Sequence, residues 1–91
     1  MGAEDVFRNA NDRIAEKAAA FGWCDPVPFL CECSDIGCFA RLPMTLEELA
    51  SRRASPSRYV IKPGHRLSGG FVLEEDDHVA VAEKLYAGQK T

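Results

Sequence analysis

Long apolar runs are missing from this chain. No stretch approaches the roughly 20 residues that a membrane-crossing helix requires. The acidic opening, MGAEDVFRN, has neither the basic start nor the apolar follow-on of an export signal. Val6 stands where an N-myristoylation signal wants Ser or Thr. The expectation is therefore a cytoplasmic protein with no membrane partner, in a compartment where thiols stay reduced. An excess of positive charge is also missing. The formal net charge is −3, which argues against a general polyanion binder, because that affinity rests on Lys and Arg neutralising phosphates. Absent too are the G-x-S-x-G, glycine-rich phosphate-loop and H-E-x-x-H patterns that announce common catalytic centres. Repeats and low-complexity segments are lacking. A chain of 91 residues that is 46% hydrophobic and 27% charged reads as one soluble domain, 1–91, rather than two cores or a disordered tail.

Cysteine is scarce except in one place. The chain has four, and three of them fall in FLCECSDIGCF, at Cys31, Cys33 and Cys38. On an extended segment residues i and i+2 point to the same side, so Cys31 and Cys33 can aim both sulfurs at one point. The Ser34–Gly37 stretch is turn chemistry, which lets Cys38 fold back to that point. Three thiolates make three corners of a tetrahedron, and zinc takes four ligands. Cys24 and His65 compete for the last corner. Two prolines stiffen the path from Cys24, whereas His65 follows a Pro-Gly turn, so Cys31, Cys33, Cys38 and His65 are the favoured set. His78, at the start of a strand, reads as an exposed polar residue.

Zn2+ is favoured as the single, structural ion. An iron–sulfur cluster wants four thiolates and would have to recruit Cys24. A Cys31–Cys33 disulfide would close a strained ring, and idle thiols are the remaining reading. Stability arithmetic agrees with a metal. A domain of this length expects roughly 5–14 kcal/mol from its core, and a structural zinc site contributes about 10–16 kcal/mol of apparent binding energy. Three thiolates neutralise the ion and leave it a poor Lewis acid. Glu32 points to the opposite side of the extended segment, away from the ion, so no catalytic residue is assigned.

Around this segment the sequence predicts an α+β domain. It has an N-terminal helix over about 5–21 and a zinc-knuckle and α+β core over about 23–86, with a second short helix and a small antiparallel sheet. Val6, Phe7, Ala10, Ile14, Ala18 and Phe21 recur at helical spacing, with Gly22 as the stop. Thr45 and Glu48 form a capping box, with Met44 and Leu49 as its hydrophobic staple. That helix runs from about Leu46 to Arg53. RYVIK, Arg58–Lys62, reads as a strand closed by Pro63-Gly64. Ser68-Gly69-Gly70 reads as a flexible connection. Phe71–Glu75 and His78–Lys84 read as a hairpin, with Phe71 and Leu73 on one face and Val79 and Val81 on one face of its partner. The closing Ala87–Thr91 reads as frayed.

The run FLCECSDIGC, then TLEELASRRASPSRYVIKPGH, then a hairpin ending in VAEK resembles a family of small, uncharacterised bacterial zinc-binding proteins. That family carries an F-x-C-E-C segment, a third Cys and a P-G-H turn. The likeness covers Phe29 to Lys84. It departs at Leu49-Ala50, where the pattern has Glu-Tyr or similar, and at Gly69-Gly70, where the pattern places a Glu. The resemblance implies Cys31, Cys33, Cys38 and His65 as metal ligands, gives Cys24 no role, and implies no particular activity.

Three functions follow as expectations. The first is a non-enzymatic, zinc-stabilised protein-interaction or regulatory module that binds another protein. The second is nucleic-acid binding through Arg41, Arg52, Arg53, Arg58, Lys62 and Arg66, weakened by overall acidity and few paired aromatics. The third is a thiol redox sensor.

Overall fold

The structure is a computed structural model, and it describes residues 2–84. The expected fraying of Ala87–Thr91 lies outside those residues. The chain runs α1 (Ala3–Ala20), β1 (Val27–Leu30), β2 (Arg41–Met44), α2 (Leu46–Arg52), β3 (Arg58–Ile61), β4 (Gly70–Glu75) and β5 (Ala80–Lys84). This is a small α+β arrangement of two helices and two small antiparallel sheets, β1-β2 and β3-β5-β4. Among the described residues no helix is long and apolar enough to cross a membrane.

Helix α1 ends as its sequence dictates. Gly22 takes φ +64°, a left-handed conformation that costs glycine nothing. The Gly22 N–H then bonds Ala19 O at 3.0 Å and the Trp23 N–H bonds Ala18 O at 2.9 Å, the paired bonds of a Schellman stop. The buried stripe is rotated from the expected one. Val6 and Phe21 are exposed, at 47% and 81%. Phe7 is buried and Ile14 and Ala18 pack on the core as expected, but Glu4 and Asn11 are buried and Ala15 packed beside them. Two polar residues thus occupy positions on the inward face, because each finds a partner there.

Helix α2 starts as expected. The Glu48 N–H donates to Thr45 Oγ1 at 3.1 Å and the Thr45 N–H to Glu48 Oε1 at 2.7 Å. Met44 and Leu49 on either side are both buried.

Strand β2 was not expected, because Pro43 reads as a strand breaker. It pairs with β1, and Pro28 faces Pro43 in the register. Facing residues in an antiparallel pair either exchange both hydrogen bonds or none. Two prolines facing each other take the bond-free pair and cost the ladder nothing. Val27, Phe29, Leu42 and Met44 point inward and are buried, while both prolines face out.

The expected hairpin is present, but its faces differ from the alternating pattern. Strand β5 is central, between β3 and β4, and Val79, Ala80, Val81 and Ala82 are all buried. Phe71, Val72 and Leu73 are all exposed, and the register slips between Val72 and Glu74. Sheet neighbours close a strand's edges, not its faces; consecutive buried residues show that both faces of β5 are packed, whereas β4 stays exposed. Gly70 opens β4 rather than a flexible link. Its backbone lies so close to Glu83 O and the Leu67 side chain that an added Cβ would come within 2.7 Å of each.

Candidate metal centre

The ten residues between β1 and β2 carry all three clustered cysteines. The Cys31 N–H still bonds Ala40 O at 3.0 Å, so the first cysteine leaves the hairpin in extended geometry. Cys31 and Cys33 are each 1% exposed, on one side of this segment. Asp35 then folds the chain back. Its side chain accepts the Gly37 N–H at 2.9 Å, and its carbonyl accepts the Cys38 N–H at 2.9 Å. That turn returns Cys38 toward the first two thiols.

His65 arrives from the other sheet. Lys62 O accepts the His65 N–H at 3.0 Å across Pro63-Gly64, and Gly64 has φ +91°. Proline first and a left-handed glycine second is the chemistry of a type II turn. The turn sets the imidazole against the cysteine loop. His65 Nδ1 lies 3.5 Å from Cys31 Sγ and 3.5 Å from Cys38 Sγ.

Ligand atoms of Cys31, Cys33, Cys38 and His65 all lie within 4.8 Å of one another, and together they can hold a metal ion. Bond lengths near 2.3 Å to sulfur and 2.0–2.1 Å to nitrogen give a tetrahedral S···N edge of about 3.6 Å, close to both measured separations. The backbone N–H of Lys62 donates to Cys31 Sγ at 3.1 Å, an outer contact of the kind that orients a ligating sulfur. Burial pushes the Cys31 thiol up to about 12, and the adjacent Cys33 and Cys38 thiols add to the rise against the Lys62 N–H. Burial also raises Cys33. Buried thiols crowded together ionise only if a cation compensates them, so the donor set suits a cation. Cys24 is exposed, with its Sγ 3.5 Å from Gly22 O, and stands outside the cluster. His78 is exposed.

The basic residues do not share one free face. Arg52 pairs with Asp76 at 3.0 Å, Arg53 with Asp12 at 2.7 Å, and Arg58 lies 3.8 Å from Glu83. Arg41, Lys62 and Arg66 are exposed.

The sequence reading missed the buried group opposite the thiols. Glu32 is 0% exposed. Its Oε1 accepts the Val60 N–H at 3.0 Å and its Oε2 accepts Asn11 Nδ2 at 2.8 Å. Arg53 Nη1 stands 3.8 Å from the same Oε2. The Glu32 N–H bonds Val60 O at 2.8 Å, so one residue joins the hairpin to β3. Asn11 in turn treats β1 as a neighbouring strand would, accepting the Leu30 N–H at 2.8 Å and donating to Leu30 O at 2.9 Å. Burial raises the Glu32 carboxyl above its ordinary range, opposed by the Arg53 charge and the Asn11 and Val60 donors. One signal pointed here: Asn11 falls at helical spacing between Phe7 and Ile14, on the apolar stripe.

Comparison of the chain with protein-family models, with curated proteins and with solved structures found no match.

Proposed function

We propose that the chain is a non-enzymatic, zinc-stabilised domain whose role is to bind another protein in the cytoplasm. The observation that carries the reading is the gathering of Cys31, Cys33, Cys38 and His65 atoms within 4.8 Å. A three-sulfur, one-nitrogen donor set with two S···N separations of 3.5 Å suits zinc among the common metals. Four protein ligands leave no position for a substrate, which favours a structural ion. The resemblance to small bacterial zinc-binding proteins, carried by the runs between Phe29 and Lys84, implies the same four ligands.

The interaction role is supported by what the knuckle presents. Ile36 and Phe39 flank Cys38 and are 63% and 71% exposed. Large apolar side chains held outward on a metal-tied loop are suited to a partner's pocket, where buried aromatic anchors carry most of the affinity. With Arg52, Arg53 and Arg58 engaged in ion pairs, the charge left for phosphates is small, and nucleic acid is the weaker reading.

Elemental analysis of the protein purified without added metal tests the first half: one zinc per chain is expected, and none after His65→Ala with Cys33→Ser. Affinity capture from a host lysate tests the second half. The reading expects a partner retained by the native protein and lost with Ile36→Asp plus Phe39→Asp, metal content unchanged. Turnover of a small substrate that needs the bound ion would overturn it.

A further inference from the structure

The three-stranded sheet has two outer edges, and they are treated differently. On β3, Val60 has both its N–H and its carbonyl engaged by Glu32, which blocks a further strand. On the far side, β4 pairs only with β5 among the described strands. Among the described residues, no hydrogen bond outside that ladder reaches residues 71–74. Phe71, Val72 and Leu73 are 46%, 48% and 40% exposed. Natural proteins protect such edges with Lys, Pro, a bulge or a covering element; Gly70–Leu73 has neither Lys nor Pro, and the one register slip falls between Val72 and Glu74, at the end of the apolar triplet.

The charge along β4 restricts what can cover it. Glu74, Glu75, Asp76 and Asp77 crowd one end, and the Ser68–Gly70 end has no acid. A strand laid alongside in parallel with the same sequence would set acid against acid, which destabilises a cross-strand pair. Laid antiparallel, the same sequence puts each acidic end on the other's neutral end and the apolar triplet on its copy. Arg66 is exposed and lines a groove along β4 together with Gly70, Phe71, Val72 and Glu75.

We propose that β4 is a self-association edge, through which two copies pair antiparallel about a two-fold axis to form one six-stranded sheet. Main-chain bonds between the edges give the affinity, as in other cases of strand addition, and the interface is isologous. A six-residue edge covers less than the about 800 Å² per partner of a standard interface. The dimer is therefore weak and concentration-dependent, in the micromolar range or above. This inference does not rest on the metal: the cluster and β4 are separate features, and either reading can fail alone.

Sedimentation velocity of the full chain, from about 1 μM to about 1 mM, is the test. The expected result is a reversible shift from monomer to dimer, with amide exchange in residues 71–74 slowing as concentration rises. Val72→Asp is expected to weaken association at least tenfold, with melting temperature and metal content checked to show that the fold survives. Phe71→Asp serves as the second variant. A monomer at every concentration overturns the proposal. Slow exchange in β4 at all dilutions also overturns it, because the edge is then covered without a second copy. Fast exchange at all dilutions would leave the edge to a different partner. A dimer untouched by both substitutions overturns it equally.

Discussion

Cys31, Glu32 and Cys33 are consecutive, equally buried, and opposite in what they need. The two thiols face a third thiol and an imidazole, a donor set that can hold a metal ion. The carboxylate between them faces a pocket already furnished with donors, from Val60, Asn11 and Arg53. One side of a single extended segment is completed by the protein itself and the other calls for an ion. Alternation along the strand makes this possible: successive side chains leave on opposite sides, so one short stretch clamps two different neighbours. The Glu32 side joins α1, the hairpin and β3. The thiol side joins the hairpin to the Pro63–His65 turn.

Breaking the metal side should have the larger effect. Chelation under reducing conditions, or Cys31→Ser, is expected to remove stability on the order of 10 kcal/mol, enough to unfold a domain of this size. Calorimetry with and without chelator checks it. Cys24→Ser should change neither melting nor metal content. Unchanged melting on chelation would reduce the cluster to packed thiols.

Breaking the carboxylate side should cost less and leave the metal in place. Glu32→Ala strands the Val60 N–H and one Asn11 proton, while Arg53 keeps Asp12, for about 2–4 kcal/mol. Urea unfolding of the metal-loaded protein measures it. Glu32→Gln keeps the shape but sets an amide donor against a donor, for about 1–3 kcal/mol. Equal losses of metal in Glu32→Ala and Cys31→Ser would show that the two sides are one unit, not two.

Asn11→Ala should cost about 1–3 kcal/mol, because it leaves the Leu30 N–H and carbonyl without partners. Amide exchange at Leu30 should quicken more than at Val60.

The smallest effect belongs to the end of α1. Lys84 Nζ lies 2.6 Å from Glu4 Oε2. Burial alone would raise Glu4, but the Lys84 hydrogen bond and charge, with a backbone donor, hold it below the ordinary carboxylate range. A depressed carboxyl contributes stability above its unfolded value, about 4.3, and loses it as pH falls through the folded value. Burial lowers Lys84, and the Glu4 bond with nearby negative groups more than restores it, to a net rise. That contribution is present below about 10.4 and is lost as pH rises through the folded value. Glu4→Gln should therefore flatten the difference from native protein below about pH 4, at a neutral-pH cost of about 1 kcal/mol. Melting temperature followed against pH for both proteins checks it, and metal loss in acid cancels between them.

Much of this comparison was legible before any coordinates. The C-x-C spacing, the Asp35 turn and the Pro63-Gly64 turn each act within a few residues, so their geometry follows from local chemistry. The capping box of Thr45 and Glu48 and the stop at Gly22 were legible for the same reason. Strand β2 was hidden because Pro43 argues against a strand unless its cross-strand neighbour is also proline. The burial of Ala80 and Ala82 beside Val79 and Val81 was not legible, because what packs on a sheet's second face is not a property of one strand. Three of the six basic residues were engaged by acids far away in sequence, Asp12, Asp76 and Glu83.

What the amino-acid order determined by itself is therefore the set of local devices: two helices with their ends, the turns, and three sulfurs able to converge. His65 was favoured from the sequence and the fold brings it to the thiols; what only the tertiary structure decided is which distant groups meet Glu32, namely Asn11, Val60 and Arg53. A turn or cap closes over a few bonds and is fixed by the residues it contains. A buried charge is tolerable only through partners supplied by other segments, and those partners exist once the chain has folded around it.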